Sequence, residues 1–366
     1  MSSSIETLTN GFLPDDLTLQ ILARLPLKTL FRCKTICKSW NRIIPSDPHL
    51  VNLHNQISLD NPLVLVETLQ TPQSRPNLIS IDRRGSVSES SLAFLNDRVK
   101  VRASCNGLLC CASVPNRGLY YVCNPFTGES KALPRTRERP VSRYHPDYEA
   151  TLVGLAFDPS KRGFTVALAG FYRPFGWRPF DRLVCSVFDS ETNSWRKFVS
   201  SHYDEFTHMN RNQVVFVNGR LHWLTMSCSY VLTLDPTEGL WRKVSAPVEI
   251  LAEKFGARVY LLEMEGKLSV VQMTEATMNV WVLEDYGIEE WRVVERVNLR
   301  CIKGFVPNAF PIGMSSGVVF LATRRTVLMY ERKSKVWKEV YSGRDELTYP
   351  LWFSAYAFKS TLSSFG

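Results

Sequence analysis

The sequence predicts a small all-α module followed by an all-β propeller of about six four-stranded blades. Three observations carry that reading. Apolar residues recur at helical spacing between residues 12 and about 58. From about residue 61 the pattern changes to short β-branched and aromatic runs broken by turn signals every 8–12 residues. Within that stretch Trp195, Trp241, Trp291 and Trp337 recur at intervals of 46, 50 and 46, the period of a four-stranded repeat.

The helical part divides into short segments. In FLPDDLTLQILARL, Leu13, Leu17, Ile21 and Leu25 recur every four residues with Leu22 beside them, giving one apolar face. Pro14 suits a first turn, Asp15 and Asp16 suit the positive end of the helix dipole, and Pro26 ends the helix. The next run, LKTLFRCKTICKSWNRII, places Leu30, Cys33, Cys37, Trp40 and Ile44 on one face, with Lys28, Arg32, Lys34, Lys38 and Arg42 on the other. Asp47-Pro48 is a helix start, with Asp47 as N-cap. About 45 residues make a marginal core alone, so this unit is expected to lean on something else. Between Leu17 and Ser46 there are six basic residues and no acidic one. That is either a solvated face or a docking module for an acidic partner with an apolar groove.

The helical run resembles the F-box in its plant form. The resemblance lies in Leu13-Pro14, Asp16, Leu17, Ile21-Leu22, Leu25-Pro26, Arg32-Cys33-Lys34, Cys37-Lys38-Ser39-Trp40 and Asp47-Pro48 through His54. Gln20 departs from it, standing where an acidic residue is common. The resemblance implies docking on the adaptor Skp1 and, through it, on cullin 1 and a RING protein. Its implied Skp1-binding residues are Leu13, Pro14, Leu17, Ile21, Leu22, Leu25, Pro26 and Leu30, with Lys28, Arg32 and Lys38 at the rim.

The β part carries two interleaved units. One is a strand, an acidic or Asn turn and a strand bearing Trp: SVFDSETNSWRKF, TLDPTEGLWRKV, VLEDYGIEEWRVV and YERKSKVWKEV, with a degenerate copy in VCNPFTGESKALP. The other is a glycine before an apolar strand, at Gly107, Gly219, Gly266 and Gly317. Each Trp is expected to pack over the next blade. PLVLVE near residue 65 and LWFSAYAF near 355 are available to close the ring. The phrases SCNGLLCC, YVCNPFTGESKALP, LAFDPSKRGF, VFDSETNSW, VVFVNGRLHWL and TLDPTEGLWRKV resemble the F-box-associated, kelch-like domain, although single glycines stand where kelch repeats have pairs. The expected domains are 10–58 and 60–360.

Chemistry finds little support. Gly313-Met-Ser-Ser-Gly317 matches the nucleophile-elbow pattern, but a strand follows instead of a helix, so a strand-entry turn is expected. Cys33 and Cys37 lack zinc-site spacing. Cys110 and Cys111 point to opposite faces of one strand, and His222 is expected in the core. No catalytic residue, metal or cofactor is expected. Nine cysteines, no N-glycosylation sequon, no apolar run long enough to span a membrane and no secretory leader point to a reduced cytoplasmic or nuclear protein. The charge of +9 is spread along the chain and identifies no nucleic-acid partner.

Three segments break the strand spacing: 134–150, 170–182 and 200–213. Arg137 and Arg139 in the first, and Tyr172, Arg173, Phe175, Trp177 and Arg178 in the second, are candidate target contacts, because Arg and aromatic side chains anchor many interfaces. The expected function is the non-catalytic, substrate-recognition subunit of a Skp1–cullin–F-box ubiquitin ligase. The alternatives are a Skp1-bound module that sequesters a partner, or a propeller enzyme or carbohydrate-binding protein.

Overall fold

The computed structural model describes residues 14–68, 77–115, 118–136, 140–141, 152–158, 163–172, 183–200, 209–225, 227–252, 257–315, 317–343 and 355–365. Four helices come first: α1 (Asp15–Ala23), α2 (Leu27–Cys33), α3 (Lys38–Ser46) and α4 (Pro48–Asp60). Asp47 caps α4 as expected, its Oδ1 accepting from the Leu50 amide at 2.8 Å with Pro48 in the first turn. The run from Leu27 to Ser46 is two helices rather than one. Cys37 is the reason: its Sγ accepts from the Trp40 amide at 3.4 Å and so caps α3. It is therefore exposed, contrary to the apolar-face reading, while Cys33 is buried.

Six antiparallel sheets follow, and apart from β8 and β25 their strands run in chain order from the axis outward. Blade 1 holds β1 (Leu63–Thr68), β2 (Asn77–Ile81) and β3 (Val87–Ser91). Blade 2 holds β4 (Val99–Cys105), β5 (Leu108–Ser113), β6 (Tyr120–Cys123) and β7 (Ser130–Ala132). A two-residue strand, β8 (Pro140–Val141), joins the edge of blade 3, which holds β9 (Leu152–Phe157), β10 (Phe164–Tyr172), β11 (Leu183–Asp189) and β12 (Ser194–Ser200). Blade 4 holds β13 (Met209–Val217), β14 (Arg220–Thr225), β15 (Tyr230–Asp235) and β16 (Leu240–Ser245), followed by a short helix, α5 (Val248–Ala252). Blade 5 holds β17 (Arg258–Met264), β18 (Lys267–Met273), β19 (Thr277–Asp285) and β20 (Glu290–Asn298). Blade 6 holds β21 (Phe310–Met314), β22 (Val318–Ala322), β23 (Thr326–Glu331) and β24 (Val336–Ser342). The last strand, β25 (Ala355–Phe358), pairs with β1 and becomes the inner strand of blade 1, so the two chain regions expected to close the ring do so.

The blades adhere through apolar cores between neighbouring sheets. Trp195 packs into the core between blades 2 and 3, and Trp241 into that between blades 3 and 4. Trp291 and Trp337 do the same one and two blades on. Each therefore faces the preceding blade, not the next one. Trp195 Nε1 donates to the Pro134 carbonyl at 2.6 Å, and Trp291 Nε1 to the Ser245 carbonyl at 2.7 Å. Strand alternation turns the following residue the other way. Arg196 donates forward to the Pro236 and Thr237 carbonyls of blade 4, and Arg242 to the Tyr286 carbonyl of blade 5. Lys131 of blade 2 reaches Ser190 of blade 3 likewise. A Trp-Arg pair thus ties one outer strand to both neighbours. Arg292 departs from this, donating to Glu284 in its own blade.

The antiparallel order gives the propeller two distinct ends. All inner strands finish at one end, where α4 hands over to β1 and where the chain leaves β25. We call this end proximal. The turns after the third strands also lie there, and an Asx side chain organises most of them. Oδ1 of Asp82, Asn124, Asp189, Asp235 and Asp285 each accepts from two amides two to four residues ahead.

Candidate functional site

The proximal end carries the helical module. Its core contains Leu22, Ala23, Leu27, Leu30, Cys33, Ile44 and Leu50, with Leu25 and Trp40 packed at its edge, and it is completed from the propeller side by Phe126 and Leu362. Leu22 and Leu30, two of the expected docking residues, are sealed in this core and offer no free surface. Leu17 and Ile21 behave oppositely. They stand one turn apart on α1, 45% and 49% exposed. Pro14 and Pro26 are exposed as well, and Leu13 lies outside the described residues.

The basic positions also separate. Lys28 donates its ammonium to the Glu89 carbonyl of β3 at 3.3 Å, which draws it toward the propeller and away from a free rim. Arg32 and Lys38 are exposed. An apolar residue absent from the expected set, Ile36, is 66% exposed between α2 and α3. It sits out of phase with the buried stripe, between Thr35 and Cys37, and that phase was the sequence signal for it. Two open aliphatic side chains on one helix of a module that also exposes Arg32 and Lys38 suit a partner surface that is apolar with an acidic border.

The end of the propeller opposite the helical module is called distal. β10 ends and β11 begins there, with Phe171 paired to Leu183. The backbone of Tyr172 continues β10 and pairs with Pro140. Gly170 and Phe171, which the spacing assigned to the segment 170–182, are therefore regular strand, and Phe171 is buried in the core between blades 3 and 4. Arg137, Arg139, Arg173, Phe175, Trp177 and Arg178 lie outside the described residues.

Two cavities occupy the axis. The larger, about 890 Å³, opens at the proximal end among Asp158, Asp189, Glu191, Glu263 and Glu265. The other, about 360 Å³, lies between the inner strands and is lined by Phe216, Tyr260, Phe310, Met314 and Tyr356 with Arg102. Both meet at the ion pair of Lys359 with Glu263.

The chemistry-bearing candidates are placed in packing roles. Gly313–Gly317 joins β21 to β22, and Ser315 is buried in that turn with its Oγ accepting from the Gly317 amide. His222 is buried, with Nδ1 at 3.2 Å from the Val215 carbonyl and Nε2 at 3.1 Å from the Tyr286 hydroxyl. Burial holds its pKa down at about 4. Cys110 and Cys111 face opposite interblade cores. Burial pushes the thiols of Cys105, Cys110 and Cys185 up to about 12, far from a reactive thiolate. Among the described residues no cluster of His, Cys, Asp or Glu could hold a metal ion.

A four-helix N-terminal module docked on the proximal end of a six-bladed propeller defines an F-box protein with a propeller domain. Family models agree: one described as F-box-like matches residues 11–51, and one described as the F-box associated beta propeller domain matches residues 57–303. The chain belongs to the plant F-box proteins that carry this propeller. It is 53% identical over 351 residues to an F-box protein of Arabidopsis thaliana, covering 95% of this chain and 96% of the relative. A putative F-box protein of the same plant is 31% identical over 319 residues, covering 83% of this chain and 65% of that one. An Arabidopsis F-box/kelch-repeat protein is 25% identical over 313 residues, covering 76% and 68%.

Proposed function

We propose that this protein is the substrate receptor of a Skp1–cullin–F-box ubiquitin ligase. In this reading α1 docks Skp1, which brings cullin 1 and a RING protein, and the distal end of the propeller takes a target protein. The receptor breaks and makes no bonds. It raises the local concentration of the target near a ubiquitin-charged enzyme, so its contribution is proximity. The observation that carries the reading is the open pair Leu17 and Ile21 on a helix of a family-matched F-box.

The test is the double substitution Leu17→Asp and Ile21→Asp. Both side chains are already half in water, so folding tolerates the change. Docking does not, because a charge placed in an apolar interface costs about 2 kcal/mol or more per site. Skp1 is expected to be lost from pull-downs while the melting curve stays in place. Full Skp1 recovery with the folded variant would remove α1 from the docking surface.

A further inference from the structure

The chain does not stop contributing after β25. Residues 359–365, Lys-Ser-Thr-Leu-Ser-Ser-Phe, run along the proximal end between the F-box and blades 2 and 3. Ser360 and Ser58 of α4 share a hydrogen bond between their hydroxyls at 2.8 Å. Asn55 of α4 holds three consecutive residues with one side chain. Its Oδ1 accepts from the Thr361 hydroxyl at 3.0 Å and from the Leu362 amide at 3.2 Å, and its Nδ2 donates to the Ser363 hydroxyl at 3.0 Å.

The same segment is held from the propeller side. Nδ2 of Asn124 donates to the Thr361 carbonyl at 3.0 Å, and Glu129 accepts from both the Ser364 hydroxyl and the Phe365 amide. Two apolar side chains plug in opposite directions. Leu362 completes the F-box core. Phe365 enters the core between blades 2 and 3, edge-on to Phe164 with ring centroids 5.4 Å apart.

We propose that residues 359–365 are a strap that fixes the F-box at a single orientation on the propeller, with Asn55 and Asn124 as its positioning residues. A helical module of this size has a marginal core. Without Leu362 and the bonds to Asn55, contact with the propeller narrows to a covalent link at Asn61–Pro62, the single Ser58–Ser360 bond and side contacts such as Phe126, Lys28 and Arg83, which donates to Asn61 Oδ1. The strap converts two domains into one body. Its bearing on ubiquitin transfer, a fixed span from α1 to the distal end, rests on the receptor reading above. The strap itself does not.

The test therefore uses the free full-length chain. The exposed thiols Cys37, in the F-box, and Cys301, in the propeller, are native labelling positions; Cys228→Ser removes the half-buried third. Spin labels there report the distance distribution between the two domains. The labelled parent is expected to give one narrow distance. Asn55→Ala, which removes three bonds and no core atom, is expected to at least double its width with the propeller melting transition unchanged. Asn55→Asp keeps the two accepted bonds and is expected to fall between. Leu362→Ala is expected to broaden it further. A distribution as narrow in folded Asn55→Ala and Leu362→Ala as in the parent overturns the proposal. A parent distribution already broad overturns it as well.

Discussion

Asn124 stands where four of the other blades have Asp in their proximal turns, at Asp82, Asp189, Asp235 and Asp285, and Asn124→Asp separates the turn from the strap. The turn needs only an acceptor: Oδ1 of Asn124 takes the amides of Phe126 and Thr127 at 3.0 and 3.3 Å. The strap needs a donor, and Nδ2 supplies it to the Thr361 carbonyl. Asp keeps the first and removes the second, in a site with no solvent exposure. The carbonyl is left without that donor, at about 1–3 kcal/mol, and faces a carboxylate. Burial and that oxygen both raise the carboxyl pKa above its unfolded value of about 3.9. A carboxyl whose folded pKa is raised destabilises increasingly as pH rises from the unfolded to the folded value. The expected loss is about 3 kcal/mol at pH 7, shrinking toward pH 4, where the protonated acid again donates. Denaturant midpoints of parent and variant across pH 4–8 read this directly. Asp235→Asn, which no strap contacts, is the control and is expected to change stability by under about 1 kcal/mol. Equal, pH-independent midpoints for the parent and Asn124→Asp would refute the role given to Nδ2.

Other outcomes follow from the same geometry. His222, held neutral with its pKa lowered from 6.5 to about 4, makes the unfolded chain bind more protons than the folded one between those values. Stability should therefore fall as pH drops from about 6.5 toward 4, by up to about 3 kcal/mol, and its ring resonances should show no titration near pH 6. Gly107 has φ +94° and a Cβ there would lie 2.3 Å from Thr361 Cγ2, whereas a Cβ on Gly219, at φ +71°, meets nothing. Gly107→Ala should cost about 1 kcal/mol more than the roughly 1 kcal/mol of backbone strain alone that Gly219→Ala carries, measured by denaturant titration. On the receptor reading proposed above, and from the sequence alone, Trp177→Ala is expected to lose the target while keeping Skp1 and the melting temperature; a large fall in melting temperature would make it a blade-packing residue.

The fold was legible where the residue pattern had a period. Helical spacing located α1, and Asp47-Pro48 located the start of α4, because caps and apolar stripes are local properties. The tryptophan interval set the length of the blade repeat because each blade must solve the same packing problem. The direction of each Trp was not legible, since it depends on which face of a twisted sheet meets which neighbour. Cys37 misled for a similar reason: a thiol at helical spacing fits a stripe, and only the break before α3 turns it into a cap. Leu22 stood beside Leu17 and Ile21 on one apolar face, yet a stripe wider than its seat is buried on one edge and open on the other.

The strap was the least legible element, and its sequence explains why. Lys-Ser-Thr-Leu-Ser-Ser-Phe has one aliphatic and one aromatic residue among hydroxyls, with neither a helical nor a strand period. Its order comes from partners more than 230 residues away in sequence, at Asn55, Asn124 and Glu129. Those partners carry a faint signal of their own. The proximal turns repeat an Asp, and the one aligned with the strap carries Asn, the change that adds a donor without disturbing the turn. A deviation from an internal repeat thus marks where the repeat does a second job. By the same logic Gly107, at the neighbouring turn of blade 2, leaves the space that Thr361 fills, whereas the matching glycines of blades 4 and 5 face open space. Both deviations fall on blade 2, the blade beneath the F-box, and there the repeat gives way to the joint between the two domains.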